Sequence, residues 1–182
     1  MIELQSKQDL GRVKNAIQGY MTQKLLLPKV YLDADFGEMR VDVLAVDRTG
    51  VGDIHAVRIM PVKFEDGRPA GWQEHVTLAA LTVSEHSQEL LRLPGHFRYV
   101  ALYCDSSDLR SFYPVEALIR KLTAEDGVGR VGILVVDFAG DEPLVRATFK
   151  PERFRSSKEL VQLADKFVAD HTANWEVREE QA

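Results

Sequence analysis

The sequence predicts a mixed α/β domain on three observations: short β-branched runs in quick succession near the amino terminus, later runs that are apolar almost throughout, and flanking segments with apolar residues at helical spacing. Short runs joined by tight turns build an antiparallel meander. Continuous apolar runs such as 97–104 and 130–137 suit strands covered on both faces, as in the parallel part of a sheet packed between helices. At 182 residues, with 45% hydrophobic and 28% charged residues, the chain fits one domain, 1–182, with a core of its own.

The elements follow in order. Ser6 and Asp9 form a variant capping box, and Leu10, Val13, Ile17, Met21 and Leu25 recur behind it at helical spacing. This predicts a helix over 6–27, stopped by Pro28. Three strands are predicted next, over 29–35, 39–47 and 53–60, joined by turn residues that include Gly37 and Gly52. The segment 63–71 is polar, with two glycines and a proline, and reads as a loop. A second helix over 73–91 carries Val76, Ala79, Ala80, Val83, Leu90 and Leu91 on its buried stripe, and Pro94 and Gly95 stop it.

The strand 97–104 follows, then a third helix that starts at Pro114 and stops at Gly127. The strand 130–137 returns parallel to 97–104, because a crossover through a helix is right-handed and lands that way. Residues 144–150 add an antiparallel edge. Ser156 and Glu159 cap a last helix with Leu160, Leu163, Ala164, Phe167, Val168 and His171 on its inner stripe, and the polar tail after Trp175 is expected to fray. No repeat or linker divides the chain. The pattern is an αβββαβ core over 6–104, extended by αββα within the same sheet.

Composition narrows the function classes. A formal charge of −5 disfavours general polyanion binding, which depends on Lys and Arg neutralising phosphates. The single cysteine, Cys104, lies in an apolar run and reads as a small core residue. The first residues lack the basic start and apolar run of a secretory signal, and no segment has the length of a membrane span, so a cytoplasmic protein without a membrane partner is expected.

The hairpin over 40–58 carries the chemistry. Asp42 stands on its first strand, and Ala56, Val57 and Arg58 on its second. With the turn near 48–52, Asp42 and Arg58 are expected nearly opposite each other, as a cross-strand ion pair. The hairpin and the αβββαβ order around it resemble the PD-(D/E)XK, or restriction-endonuclease-like, nucleases. In working members an Asp on the second strand and an Asp or Glu on the third chelate Mg²⁺, and a Lys two residues later serves the attacking water. The resemblance puts Asp42 at the first metal-ligand position. It puts Ala56, whose side chain has no oxygen, at the second, and Arg58, which keeps its proton, at the lysine.

The resemblance therefore implies a nuclease-like protein that is catalytically inactive and acts as a binding or assembly component. By analogy, its setting is a bacterial cytoplasm and a nucleic-acid processing or defence system. It expects no cofactor, and a protein partner ahead of nucleic acid. An alternative is an active Mg²⁺-dependent nuclease in which Asp42 works with a displaced carboxylate or base from Asp33, Asp35, Glu38, His55 or Lys63. In relatives the first helix often carries a further acid, and Asp9 is the nearest residue of that kind.

A third alternative is a protein–protein interaction module that uses an apolar patch around Trp72 or Trp175. Lys150, Arg153, Arg155 and Lys158 surround Phe149 and Phe154 and form the one basic cluster suited to a nucleic-acid backbone. Asp105 and Asp137 end strands, where α/β proteins often place sites, and no glycine-rich phosphate loop follows either. His75, His86, His96 and His171 have no paired metal spacing. The oligomeric state is left open.

Overall fold

In the computed structural model the described residues are 2–47, 52–61, 85–103, 130–137, 142–155 and 158–179. They form α1 (Ile2–Gln23), β1 (Lys29–Asp35), β2 (Arg40–Val46), β3 (Ile54–Pro61), α2 (Ser87–Arg92), β4 (Phe97–Tyr103), β5 (Gly132–Asp137), β6 (Leu144–Phe149) and α3 (Lys158–Glu179). The six strands make one mixed sheet in sequence order. β1, β2 and β3 are antiparallel, β3, β4 and β5 are parallel, and β6 returns antiparallel. The mixed α/β class and the predicted strand directions are those found. The predicted helix over 114–127, most of that over 73–91, Lys63, Trp72, His75, Cys104, Asp105 and Ser156 lie outside the described residues. The side chains of Asp9, Asp137 and Trp175 do as well.

The sheet has a core on each face. On one side Val13, Ile17 and Met21 of α1 bury against Val43, Val57, Tyr99, Ala101 and Leu134. On the other, Leu90 of α2 and Ala164 of α3 pack with Ala56, Val100, Leu102, Val135 and Phe154. Successive β4 residues feed alternate cores, which explains why 97–103 reads as one continuous apolar run.

Several boundaries differ from the sequence reading. α1 begins at Ile2, so Ser6 and Asp9 lie inside the helix rather than capping it. α3 runs on to Glu179 through the tail expected to fray. Leu163 is 42% exposed, and the inner stripe of α3 is instead Val161, Ala164, Phe167 and Val168.

The alternation of β1 and β2 reverses at two aspartates. Leu32 pairs with Val43 and contributes to the α1 side, whereas Ala34 pairs with Val41 and contributes to the α3 side. Residues two apart on a regular strand share a face. Both strands therefore switch faces at Asp33 and Asp42, which stand between those pairs, and Asp33 has φ of 54°. That left-handed conformation is one that Asp tolerates better than most residues.

α1 ends at Gln23, short of the predicted Leu27. Leu26 takes φ of 56° and is 77% exposed, while the Leu27 N–H closes back on the Met21 carbonyl at 3.0 Å. Glycine usually fills such a left-handed terminus because a Cβ is strained there. Leu26→Gly should stabilise the fold by about 1 kcal/mol, a rise in melting temperature of roughly 2–4 °C for a domain of this size. Calorimetry checks it, and a fall in melting temperature would contradict the account of this turn.

Candidate functional site

The paired register of β2 with β3 runs from Val46–Ile54 to Val43–Val57 and stops there. One residue further on, the Asp42 carboxylate takes over as acceptor. Its Oδ2 receives the Ile59 main-chain N–H at 2.7 Å and the Arg58 guanidinium at 3.3 Å. The Asp42 side chain is only 10% exposed, so these donors replace water around the charge. Arg58 also donates through Nε to Glu89 of α2 at 2.7 Å. The cross-strand pair expected from the hairpin is present, and Glu89 extends it to a helix.

Ala56 is fully buried on the α3 side. The backbone at Gly95 presses against it: a Cβ on Gly95 would stand 3.2 Å from the Ala56 Cβ and 3.1 Å from the Ile54 carbonyl oxygen. The position that resembles a second metal ligand is therefore a packing position, closed by a turn. A divalent cation at Asp42 would meet a carboxylate whose Oδ2 already accepts the Ile59 N–H, and would lie beside the Arg58 charge with no second carboxylate at position 56. The residues present do not fit one. Among the described residues, no three His, Cys, Asp or Glu side chains come together as a metal-holding group.

The other candidate carboxylates are engaged elsewhere. Asp33 Oδ1 accepts from Lys14 of α1 and from Arg40, each at 2.6 Å, which turns it toward the α1 side and holds its carboxyl below the usual range. Lys14 is 9% exposed and is a buried tie the sequence did not single out. Asp35 accepts the Gly37 N–H at 2.8 Å and shapes the β1–β2 turn, where Glu38 is exposed. His55 neighbours Ala56 in sequence but packs on the α1 side. Its ring stacks on Phe97 and Tyr99 at centroid distances of 4.7 and 5.9 Å, with Nδ1 3.1 Å from the Tyr99 hydroxyl. His171 stacks on Phe167 at 3.9 Å, on the α3 surface. A groove of about 400 Å³ lies between α1 and the start of β6, and neither Asp42 nor Arg58 lines it.

The basic cluster is divided. Lys150, Arg155 and Lys158 are exposed. Arg153 gives both Nε and a terminal nitrogen to Asp53 Oδ1, at 3.1 and 2.8 Å, and Arg130 pairs with Glu152 at 2.8 Å. Phe154 is buried, with the Arg98 and Arg130 guanidiniums 4.4 and 4.8 Å from its ring centre, so its faces are covered rather than offered to bases. Phe149 is partly buried against the α3-side core.

Burial lowers the pKa of His55 from its ordinary value of 6.5 to about 4. The folded protein thus binds this proton more weakly than the unfolded chain does. Stability is complete above the unfolded value and declines as pH falls from about 6.5 toward 4, by at most about 3 kcal/mol. Urea unfolding across that range should show the decline, and His55→Phe should make it shallower, leaving the part due to His96, whose pKa is lowered in the same direction. An equal slope in the variant would contradict the assignment.

The chain matches no family model and no curated protein. Among solved structures, a protein of unknown function from Silicibacter pomeroyi is similar over 84% of this chain and 81% of its own, at 13% sequence identity and a TM-score of 0.43. A likeness at that level says nothing about activity.

Proposed function

We propose that the chain is a PD-(D/E)XK-like protein without metal-dependent nuclease activity, and that it works as a binding or assembly component. One observation carries the reading: Oδ2 of the Asp42 carboxylate is engaged inside the fold by the Ile59 N–H and Arg58. The closed packing at Ala56 supports it from the other side of the motif. A net charge of −5, with Arg153 held by Asp53, favours a protein partner over a nucleic-acid backbone. By analogy alone, the setting is a bacterial nucleic-acid processing or defence system.

The test is cleavage of single- and double-stranded DNA and RNA with Mg²⁺ or Mn²⁺, with Asp42→Asn as the control. No cleavage is expected from either protein. Cleavage by the wild type that is lost in Asp42→Asn would overturn the proposal and favour the nuclease built on a displaced carboxylate.

Two substitutions separate structure from catalysis. Asp42→Ala leaves a buried main-chain N–H without its acceptor and should cost about 2–3 kcal/mol in chemical denaturation. Ala56→Glu with Arg58→Lys restores the motif on paper. It should lower stability without producing cleavage, because the carboxylate enters a closed core. A stable double variant that cleaves nucleic acid would show that the second ligand position is open after all.

A further inference from the structure

Residues 151–155 form a strap across the entry to β3, β4 and β5. The Glu152 N–H donates to the Arg130 carbonyl at 2.9 Å, and the Phe154 N–H to the His96 carbonyl at 2.8 Å. Arg130 holds the Arg153 carbonyl at 2.9 Å, and Arg153 reaches Asp53 at the head of β3. His96 sits beneath this tie with a side chain only 13% exposed. Its Nδ1 lies 3.1 Å from the Ile54 nitrogen and accepts that N–H, which fixes the proton of the neutral ring on Nε2. The same Nδ1 lies 3.7 Å from Asp53 Oδ1, the oxygen that Arg153 occupies.

A proton on Nδ1 cannot coexist with the Ile54 bond, since two N–H groups would then face each other. Asp53 Oδ1, 3.7 Å away, can accept it instead. We infer that His96 is a proton-operated latch on the strap: once protonated at Nδ1 it releases the Ile54 N–H and competes with Arg153 for Asp53. The freed guanidinium then joins Lys150, Arg155 and Lys158 on the exposed surface. In the neutral state the strap is closed and Arg153 is internally neutralised.

The charged groups around the ring set where the latch opens. Asp53 at the head of β3 and Asp165 on α3 favour the proton, while Arg153 on the strap, Arg98 on β4 and burial oppose it. His55 on β3 is a further neighbour, and a charged His96 opposes its protonation. The balance lowers the His96 pKa, so the latch stays closed at neutral pH and opens only at a lower pH than an ordinary histidine would need.

Amide hydrogen exchange on the whole chain tests this, with protection at Ile54 measured relative to Ala101 in the central strand. Protection at Ile54 should fall about tenfold between roughly pH 7.5 and 4.5, the loss of one buried hydrogen bond. In His96→Gln, whose side-chain carbonyl accepts the same N–H and takes no proton, the fall should be absent. An equal fall in both proteins, or none in the wild type, overturns the latch.

Arg153→Met supplies a second measurement on a half-exposed side chain. Removing the competing cation should raise the titration midpoint of the His96 ring, followed by NMR, by about half a pH unit. An unchanged or lowered midpoint would mean that Asp53 is not shared between the two residues.

Discussion

The hydrogen bond from the Ile59 N–H to the Asp42 carboxylate lies where the sheet changes character. On one side β3 pairs antiparallel with β2, and on the other it pairs parallel with β4. The β2 ladder ends at Val43, one residue before the faces of β1 and β2 reverse. A side-chain oxygen then serves where the paired ladder has ended. Through Arg58 and Glu89 the same carboxylate reaches α2, in the crossover to β4. The meander and the parallel half of the sheet thus share one buried negative charge. Such a charge is tolerated inside a protein only when its donors are complete.

That arrangement puts structural use and metal chemistry in competition for the same atoms. Chelation of Mg²⁺ requires carboxylate oxygens that are not spent on protein donors, and a second acid close by. Asp42 has spent an oxygen, Asp33 is drawn to Lys14 and Arg40, and Ala56 is walled in by the Gly95 turn. Each aspartate near the hairpin has a partner of its own. The acidic residues of β1 and β2 are distributed as separate ties between layers rather than gathered as a ligand set.

Local features of this fold were legible from residues alone. The bounds of β1, the apolar stripe of α1 at Val13, Ile17 and Met21, and the pairing of Asp42 with Arg58 follow from alternation, helical spacing and a short turn. What lay beyond reach depends on contacts distant in sequence. Nothing near Arg58 announces Glu89, and nothing near Asp53 announces Arg153. The face reversal at Asp33 and Asp42 was hidden because an alternating pattern presumes a regular strand. Leu163 was misplaced because a stripe of apolar residues does not say which of its members meets the sheet. Lys14, beside Val13, is a buried cation that composition would assign to the surface.

The strap has a kinetic side. Its tie between Asp53 and Arg153 spans 100 residues, and the parallel pairs of β3, β4 and β5 are also remote in sequence, whereas β1 to β3 close through short turns. Loop-closure entropy orders these events: the meander can form early, and contacts that close long loops form late. During synthesis the first three strands emerge well before the strap. Until it arrives, the head of β3 keeps an uncompensated Asp53 and an uncovered entry to the sheet. The arrival of residues 151–155 thus supplies Asp53 with its Arg153 partner and adds the main-chain bonds to Arg130 and His96 at this end of the sheet.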